Sequence, residues 1–274
     1  ATRLALKLAD YVVTEGGFAS DLGAEKFFDI VAPQFGLKPD AVVLVISIRA
    51  LKSHGGVDLA HLDQENPEAV RRGLGNLEKH LFNLREVFHL PVVVAINKFP
   101  TDYDQELEVV FEYCKARQVP VELSEVVAKG GEGGTRLAQR VLATIAQVEN
   151  NFRPLYQKEL SLREKIGLLA TKIYGADGVS YTKEAIKALE QIETLGFGRL
   201  PVCMAKTQMS LSDNPKLKGA PTGWILTVRD LKLSAGAGFV VALAGNILTM
   251  PGLPKNPAAQ KVNLLSDGTI TGLF

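Results

Sequence analysis

Short, continuous apolar runs separated by helical patterns constrain the fold of this 274-residue chain more than any other feature. Four such runs are rich in β-branched residues: YVVTEGG from Tyr11, AVVLVISI from Ala41, PVVVAINK from Pro91 and VPVELSEV from Val119. A strand without polar and apolar alternation is buried on both faces, which is typical of a parallel sheet covered by helices. The runs therefore predict a parallel sheet in an α/β fold.

Helical patterns lie between these runs. Asn66 and Pro67 supply an N-cap and a first-turn proline, and apolar residues then recur at helical spacing as far as Leu84. Strand and helix therefore alternate, which predicts a right-handed, doubly wound, mostly parallel α/β unit over residues 1–150. The NNFRP stretch from Asn150 predicts a boundary, and the patterns of residues 151–274 predict a smaller α+β region.

Bulk composition excludes some classes of protein. The net charge is +1, from 31 basic and 30 acidic residues, so no overall field attracts nucleic acid or an anionic membrane. The longest apolar run, from Phe239 to Met250, is shorter than the roughly 20 residues of a membrane-spanning helix. The two cysteines, Cys114 and Cys203, lie far apart without metal-ligand spacing, which favours free thiols and a cytoplasmic location. The chain begins at Ala1 inside a helical pattern, which we interpret as the mark of a processed or truncated product.

The carboxyl ends of the predicted strands are the expected place for a ligand, because open parallel sheets bind ligands outside that edge. Phe99 and Pro100 follow the third run, and the face of Phe99 can stack on a flat heterocycle or pack between sheet and helix. The NKFP sequence is not a guanine-binding NKxD motif, since Pro100 occupies the carboxylate position. The chain also contains no GxxxxGK[ST] phosphate loop, so GTP binding is excluded.

Two further segments contain candidate anion-binding residues. Gly130 and Gly131 lie in a loop that joins a strand to a helix, where free N–H groups can hold an anion, although Glu132 opposes phosphate and a structural loop is the alternative. Arg49 follows the second run and can meet a carboxylate or phosphate, or lie in solvent. The histidines show no metal-ligand spacing, so no metal site is predicted, and the pattern identifies no catalytic residue.

Longer motifs resemble those of a known family, formate–tetrahydrofolate ligase (formyltetrahydrofolate synthetase). The motifs, in chain order, are KLADYVVTEGGFASDLGAEKFFDI, RALKSHGG, AINKFPTD, AKGGEGG, YGADGVSYT, LPVCMAKTQMSLSDNP, TMPGLPKNPAAQ and DGTITGLF. They resemble roughly the carboxyl half of the family's chain, and the amino half with its Walker-A loop is missing. Residues 1–150 would then be the remainder of a nucleotide- and folate-binding domain.

The resemblance implies an activity and a binding slot. The family joins formate to tetrahydrofolate with ATP and Mg²⁺, by way of formyl phosphate, to give 10-formyltetrahydrofolate. Phe18, Phe99, Pro100 and Leu123 resemble the residues that line the slot for the flat pterin. Val127 departs from the pattern, because many members have a tryptophan there, and aromatic stacking on a base is worth about 1–3 kcal/mol in single-stranded nucleic acid sites. Weaker binding or a rearranged slot is therefore expected.

Three interpretations stay open at this stage. The chain is the carboxyl half of a ligase that is inactive alone, a non-catalytic folate- or nucleotide-binding module, or a partner subunit that completes a separate amino half. An open sheet edge invites another strand. We therefore expect a homo-oligomer or association with an amino half, in addition to the small-molecule substrates.

Overall fold

The computed structural model describes residues 1–245 and 256–272, and its first sheet is parallel. The sheet has the order β1-β2-β3, formed by β1 Val42–Ile46, β2 Val92–Asn97 and β3 Val121–Ser124. Parallel pairing aligns the carboxyl ends of all three strands at one edge of the sheet. The α/β class with a parallel sheet is thus confirmed.

Helices connect and cover these strands. Within the first 150 residues they are α1 Thr2–Leu8, α2 Ala32–Phe35, α3 Ile48–His54, α4 Pro67–Phe82, α5 Asp104–Ala116, α6 Val126–Lys129 and α7 Thr135–Gln147. Helix α4 starts as predicted, because the Asn66 side chain accepts a hydrogen bond from the Ala69 N–H and Pro67 occupies the first turn. Wider π-helical turns precede α2 at Ser20–Ala24 and Phe27–Val31, and another extends α4 over Asn83–Val87.

The prediction of a strand at Tyr11 is wrong. Residues 11–17 adopt no regular secondary structure, and the side chains of Tyr11 and Val13 are 65% and 94% exposed. A β-branched run favours a strand only where a neighbouring strand pairs with its backbone and a core covers its side chains. Within the described residues, this segment has neither.

Strand β1 is consequently an edge strand of the described sheet. It pairs with β2 alone, and its central residues alternate between burial and exposure: Leu44 is buried, whereas Val43 and Val45 are 38% and 62% exposed. Strand β2, by contrast, is buried along almost its whole length. The alternation shows that one face of β1 is exposed, and the backbone edge away from β2 is an unpaired template for another chain segment.

The second part of the chain contains a mixed sheet of the order β4-β6-β7-β5. Its strands are β4 Gly178–Tyr181, β5 Val202–Ala205, β6 Ile225–Ser234 and β7 Phe239–Ala244. The central pair, β6 and β7, is antiparallel, and each edge strand is parallel to its neighbour. Helices α8 Leu162–Leu168 and α9 Lys183–Thr194 accompany this sheet, and a small hairpin, β8 Asn263–Leu264 with β9 Ile270–Thr271, follows it. The last residues of the Phe239–Met250 run and most of the TMPGLPKNPAAQ motif lie outside the described ranges.

The two parts share one continuous apolar core. Buried residues of the first sheet and of the second belong to a single cluster, so residue 150 separates two sheets but not two cores. The division into two domains stays a prediction. Polar contacts also join the parts: the Leu155 N–H donates to Asp29 Oδ1 at 2.7 Å, and Asn83 Nδ2 donates to the carbonyl of Ile173 at 2.8 Å.

Asp29 lies beside a second buried carboxyl group at this junction. Glu25 precedes it by one helical turn and is fully buried, with neither carboxyl oxygen hydrogen-bonded. Burial raises the pKa of Asp29 to about 7, and burial together with the Asp29 charge raises the pKa of Glu25 well above its usual range. The folded protein therefore holds protons here that the unfolded chain releases near pH 4.

We expect Asp29→Asn to flatten the pH dependence of stability between about pH 4 and pH 7. A raised carboxyl pKa contributes stability below the unfolded value, and that contribution is lost as the pH rises through 7. Asparagine keeps the acceptor for Leu155 but does not titrate. Because one pKa unit corresponds to about 1.4 kcal/mol, the rise of the Asp29 pKa from 3.8 to about 7 sets an upper limit of roughly 4 kcal/mol on the gain of the variant over the wild type at pH 8. Urea unfolding across this pH range measures the effect.

The control is Asp177→Asn, which changes an exposed aspartate. Its stability should follow the wild-type pH curve. Equal slopes for Asp29→Asn and the wild type would contradict the assignment of the buried proton.

Candidate functional site

Four of the predicted slot residues lie at the carboxyl edge of the first sheet. Phe99 and Pro100 directly follow β2, Leu123 lies in β3 opposite Ile96, and Val127 lies in the short helix that follows β3. Phe99 and Leu123 are half-buried, Pro100 is exposed, and Val127 is 71% exposed. The parallel register brings these positions to one edge, and their role as a binding slot stays a prediction.

A closed turn over residues 99–102, the Phe99 turn, fixes the backbone at the end of β2. The Phe99 N–H donates to Asp102 Oδ2 at 2.8 Å, and the Asp102 N–H donates to the Phe99 carbonyl at 3.0 Å. One residue earlier, the Lys98 N–H donates to the Ser124 carbonyl and ties the turn to β3. A recess of about 400 Å³ lies beside the turn and is lined by Asp63, Pro100, Thr101, Asp102 and Tyr103.

A buried ion pair fixes the position of the residue that follows the Phe99 turn. Lys52 Nζ lies 2.9 Å from Glu106 Oε1, and both side chains are fully buried. Glu106 also accepts the N–H groups of Asn66 at 2.8 Å and Tyr103 at 3.3 Å, while Lys52 donates to the carbonyl of Gln64 at 3.0 Å. The pair therefore joins α3 and the start of α4 to the residue that follows the turn.

Arg49 lies close to the same turn, in the first turn of α3 beyond the carboxyl end of β1. Its side chain is half-buried. Burial raises the pKa of Asp102, and the charges of Lys52 and Arg49 oppose that rise. Arg49 is thus placed where a cation can act on the sheet edge, and its role in anion binding stays a prediction.

The glycine-rich loop after β3 has a mixed charge. Gly130 has a positive φ of 56°, and a Cβ at Gly133 would meet the Glu125 carbonyl oxygen at 2.4 Å, so the fold itself requires glycine there. A recess of about 310 Å³ is lined by Glu125, Lys129, Glu132, Gly133 and Arg136. The formal charges of its two basic and two acidic side chains cancel. Gly130 and Gly131 are exposed, and their anion-binding role stays a prediction.

Phe18 lies in a different loop from the other slot residues. It precedes the π-helical turn Ser20–Ala24, and its side chain is 63% exposed. The next residues attach this loop to α4 and to the segment after β5: Ser20 Oγ lies 2.6 Å from His80 Nδ1, and Asp21 pairs with Lys206. The described hydrogen bonds of the loop therefore run to these elements rather than to β2 or β3.

His54 is neutral at physiological pH. Its Nδ1 accepts the Gly219 N–H at 3.1 Å, and burial lowers the pKa of His54 to about 4. It therefore docks the loop before β6 onto α3 and supplies no positive charge. Within residues 1–245 and 256–272, no group of His, Cys, Asp or Glu side chains is arranged to hold a metal ion. In the same ranges, no helix combines the length and apolar character that a bilayer crossing requires.

Sequence reasoning missed the buried lysines. Lys52 lies three residues after Arg49, in a segment whose basic residues suggest contact with a ligand or with solvent, but it is fully buried against Glu106. Lys206 was not singled out at all. Their positions in the sequence were the available signal. Lys52 follows the buried Leu51 in a short helix, and Lys206 directly follows the half-buried, apolar strand β5.

We expect Glu106→Gln to destabilise the protein strongly. Removing one partner leaves the Lys52 ammonium buried without a countercharge, which typically costs about 3–5 kcal/mol. The matched control is Glu68→Gln, which removes the carboxylate from an exposed pair with Arg71 and should change stability by less than about 1 kcal/mol. Urea unfolding of both variants measures the difference, and equal effects would contradict the structural role of the buried pair.

Comparison with known proteins identifies relatives of the chain along its whole length. The family model described as formate–tetrahydrofolate ligase matches residues 1–274. A formate–tetrahydrofolate ligase of Symbiobacterium thermophilum is 56% identical over 274 residues, which are 100% of this chain and 49% of that relative. The chain thus spans about half the length of the curated relative that it matches.

Proposed function

We propose that this chain, which belongs to the formate–tetrahydrofolate ligase family, forms the carboxyl, folate-binding half of an ATP-dependent ligase. The complete enzyme joins formate to tetrahydrofolate and gives 10-formyltetrahydrofolate. The observation that carries the proposal is the match of all 274 residues to this family, together with an aromatic residue held at the sheet edge where ligands bind.

The Phe99 turn suits a flat, partly polar ring. Its hydrogen bonds fix the backbone, so little conformational freedom is left to lose when a ligand binds. Phe99 offers a half-buried aromatic face, with Leu123 as apolar wall and Pro100 as a stiff rim. Phe18 is the second aromatic residue that we assign to the slot. The proposed occupant is the pterin of tetrahydrofolate.

We assign the phosphate chemistry to the other half of the enzyme. No GxxxxGK[ST] loop occurs in the chain, and its described residues include no side-chain cluster suited to Mg²⁺. In the reaction that the resemblance implies, a formate oxygen attacks the γ-phosphorus of ATP and releases ADP. The tetrahydrofolate nitrogen then attacks the formyl carbon and releases phosphate.

Partners and location follow from the same assignment. The substrates are formate, ATP with Mg²⁺ and tetrahydrofolate, and neither nucleic acid nor membrane is a partner. The unpaired edge of β1 in the described sheet, together with the exposed side chains of Val43 and Val45 on one face of this strand, supports association with an amino half or between copies of the chain. A cytoplasmic location is part of this proposal.

One observation favours a second candidate function. Val127 is 71% exposed and lies where many family members have a tryptophan, so it offers no ring for stacking. A chain with a weakened slot is compatible with a non-catalytic folate- or nucleotide-binding module. The same chain is also compatible with a partner subunit that completes an amino half encoded separately.

We expect the isolated chain to catalyse no ATP-dependent synthesis of 10-formyltetrahydrofolate, because nothing identified in it cradles a triphosphate. Adding an amino half with a Walker-A loop should restore the activity if the halves pair. The measurement is formation of 10-formyltetrahydrofolate from the three substrates, with a Walker-A lysine variant of the amino half as control. Turnover by the chain alone would contradict the assignment of the phosphate chemistry to the amino half. Ligand binding without turnover by the paired halves would favour the non-catalytic binding module.

We expect Phe99→Ala in the complete enzyme to weaken tetrahydrofolate binding more than it lowers stability, because the proposed slot loses a stacking face. Val127→Trp should have the opposite effect on affinity, because it adds such a face at an exposed position. Tetrahydrofolate affinity and the unfolding midpoint are measured for both variants. Unchanged affinity in both, with a loss of about 3–5 kcal/mol of stability in Phe99→Ala alone, would assign Phe99 to the core instead.

A further inference from the structure

The loop that carries Phe18 has a strained backbone. Phe18 and Ala19 have φ angles of 59° and 73°, a left-handed region that side chains other than glycine rarely adopt. Such residues persist only where the surrounding structure holds them, and they concentrate at ligand-binding sites. Phe18 is mostly exposed, so burial of its own ring does not account for the conformation.

Close packing folds this loop back onto the helical turn that follows it. A Cβ at Gly23 would meet the carbonyl oxygen of Gly17 at 2.0 Å and its nitrogen at 2.4 Å, so only glycine fits at position 23. Phe18 therefore stands at the tip of a tight reversal, with the base of the reversal closed by backbone contact.

A hydrogen bond between side chains fixes one side of the reversal. Ser20 Oγ lies 2.6 Å from Nδ1 of His80, which belongs to α4. Burial lowers the pKa of His80, so its imidazole is neutral at physiological pH. We assign Nδ1 as the acceptor of the Ser20 hydroxyl proton, which places the ring proton on Nε2.

A buried ion pair fixes the other side. Asp21 Oδ2 lies 2.8 Å from Lys206 Nζ, and the two side chains are 5% and 0% exposed. The same ammonium donates to the carbonyls of Ser210 at 2.6 Å and Thr207 at 3.2 Å, and it lies 4.9 Å from the centre of the Tyr174 ring. The segment after β5 thereby holds the residue three positions beyond Phe18.

We propose that these two contacts, Ser20 with His80 and Asp21 with Lys206, form a clamp that positions Phe18 for the pterin ring of tetrahydrofolate. The inference rests on the proposed function and adds positioning residues to it. Ser20 and His80 do not touch the ligand in this arrangement. They lower the entropy that an exposed aromatic side chain loses when it stacks on a ligand.

The proposal is tested in the complete enzyme by Ser20→Ala, which removes the hydroxyl donor. One hydrogen bond corresponds to roughly a two- to tenfold change in an equilibrium, so the KM for tetrahydrofolate should rise by that factor while kcat stays within about twofold. His80→Leu should have the same effect. His80→Asn should restore wild-type KM, because its Oδ1 can accept where Nδ1 did. The control is Ser180→Ala, which removes the exposed hydrogen bond to Thr227 and should leave KM unchanged.

A double-mutant cycle with Phe18→Ala separates positioning from a general structural effect. When the aromatic side chain is absent, Ser20→Ala should produce no further rise in KM, because the clamp then has nothing to position. An equal rise in KM in both backgrounds would overturn the proposal. An unchanged KM in Ser20→Ala and His80→Leu would overturn it as well.

A spectroscopic measurement separates failure of the clamp from failure of the proposed function. 4-Fluorophenylalanine at position 18 should give a dispersed ¹⁹F resonance in the wild type and a shift toward the unfolded value in Ser20→Ala. An inactive wild-type enzyme would overturn the proposed function, and the fluorine spectra would then decide on the clamp alone. Identical spectra for the two proteins would overturn the clamp.

Discussion

The buried ion pair between Lys52 and Glu106 holds together the part of the fold on which the candidate site depends. Moving both charged groups out of water costs desolvation free energy. The ion pair offsets this cost because each group also has further hydrogen-bond partners. Those partners are the Gln64 carbonyl and the Asn66 N–H, directly before α4, and the Tyr103 N–H, directly after the Phe99 turn. Helix α3, the residues directly before α4 and the residue that follows the Phe99 turn are therefore held in one relative position.

A second buried ion pair holds the loop that carries Phe18. Asp21 and Lys206 attach the Phe18 loop to the second sheet, as Glu106 and Lys52 attach the Phe99 turn to α3 and α4. Lys165 shows a different solution, because it is also fully buried but donates to the carbonyls of residues 158, 199 and 200. The fold thus uses lysines as internal connectors, and in two cases the connected segment carries an aromatic side chain assigned to the slot.

Much of the fold could be predicted from local patterns, and the failures have a common cause. Strand β2 is buried on both faces, so its continuous apolar run was sufficient evidence, and the Asn66–Pro67 start of α4 is a local signal. The Tyr11 run also contains β-branched residues, but a strand needs a neighbour as well, which a local pattern does not encode. The burial of Lys52 likewise depends on a partner 54 positions away. The edge location of Phe99 was predictable, whereas the clamp around Phe18 was not.

In the second sheet, strands that pair with each other are synthesised at different times. Its two central strands, β6 and β7, come last in the sequence, and its outer strands, β4 and β5, are made first. During translation β5 ends at Ala205 and must wait for Ala244, which is 39 residues later, before its partner β7 is complete. At typical rates of 5–20 residues per second, this is a delay of roughly 2–8 s. For that time the four-residue strand β5 has no native partner, so its backbone hydrogen-bonding groups stay unpaired until β7 has been made.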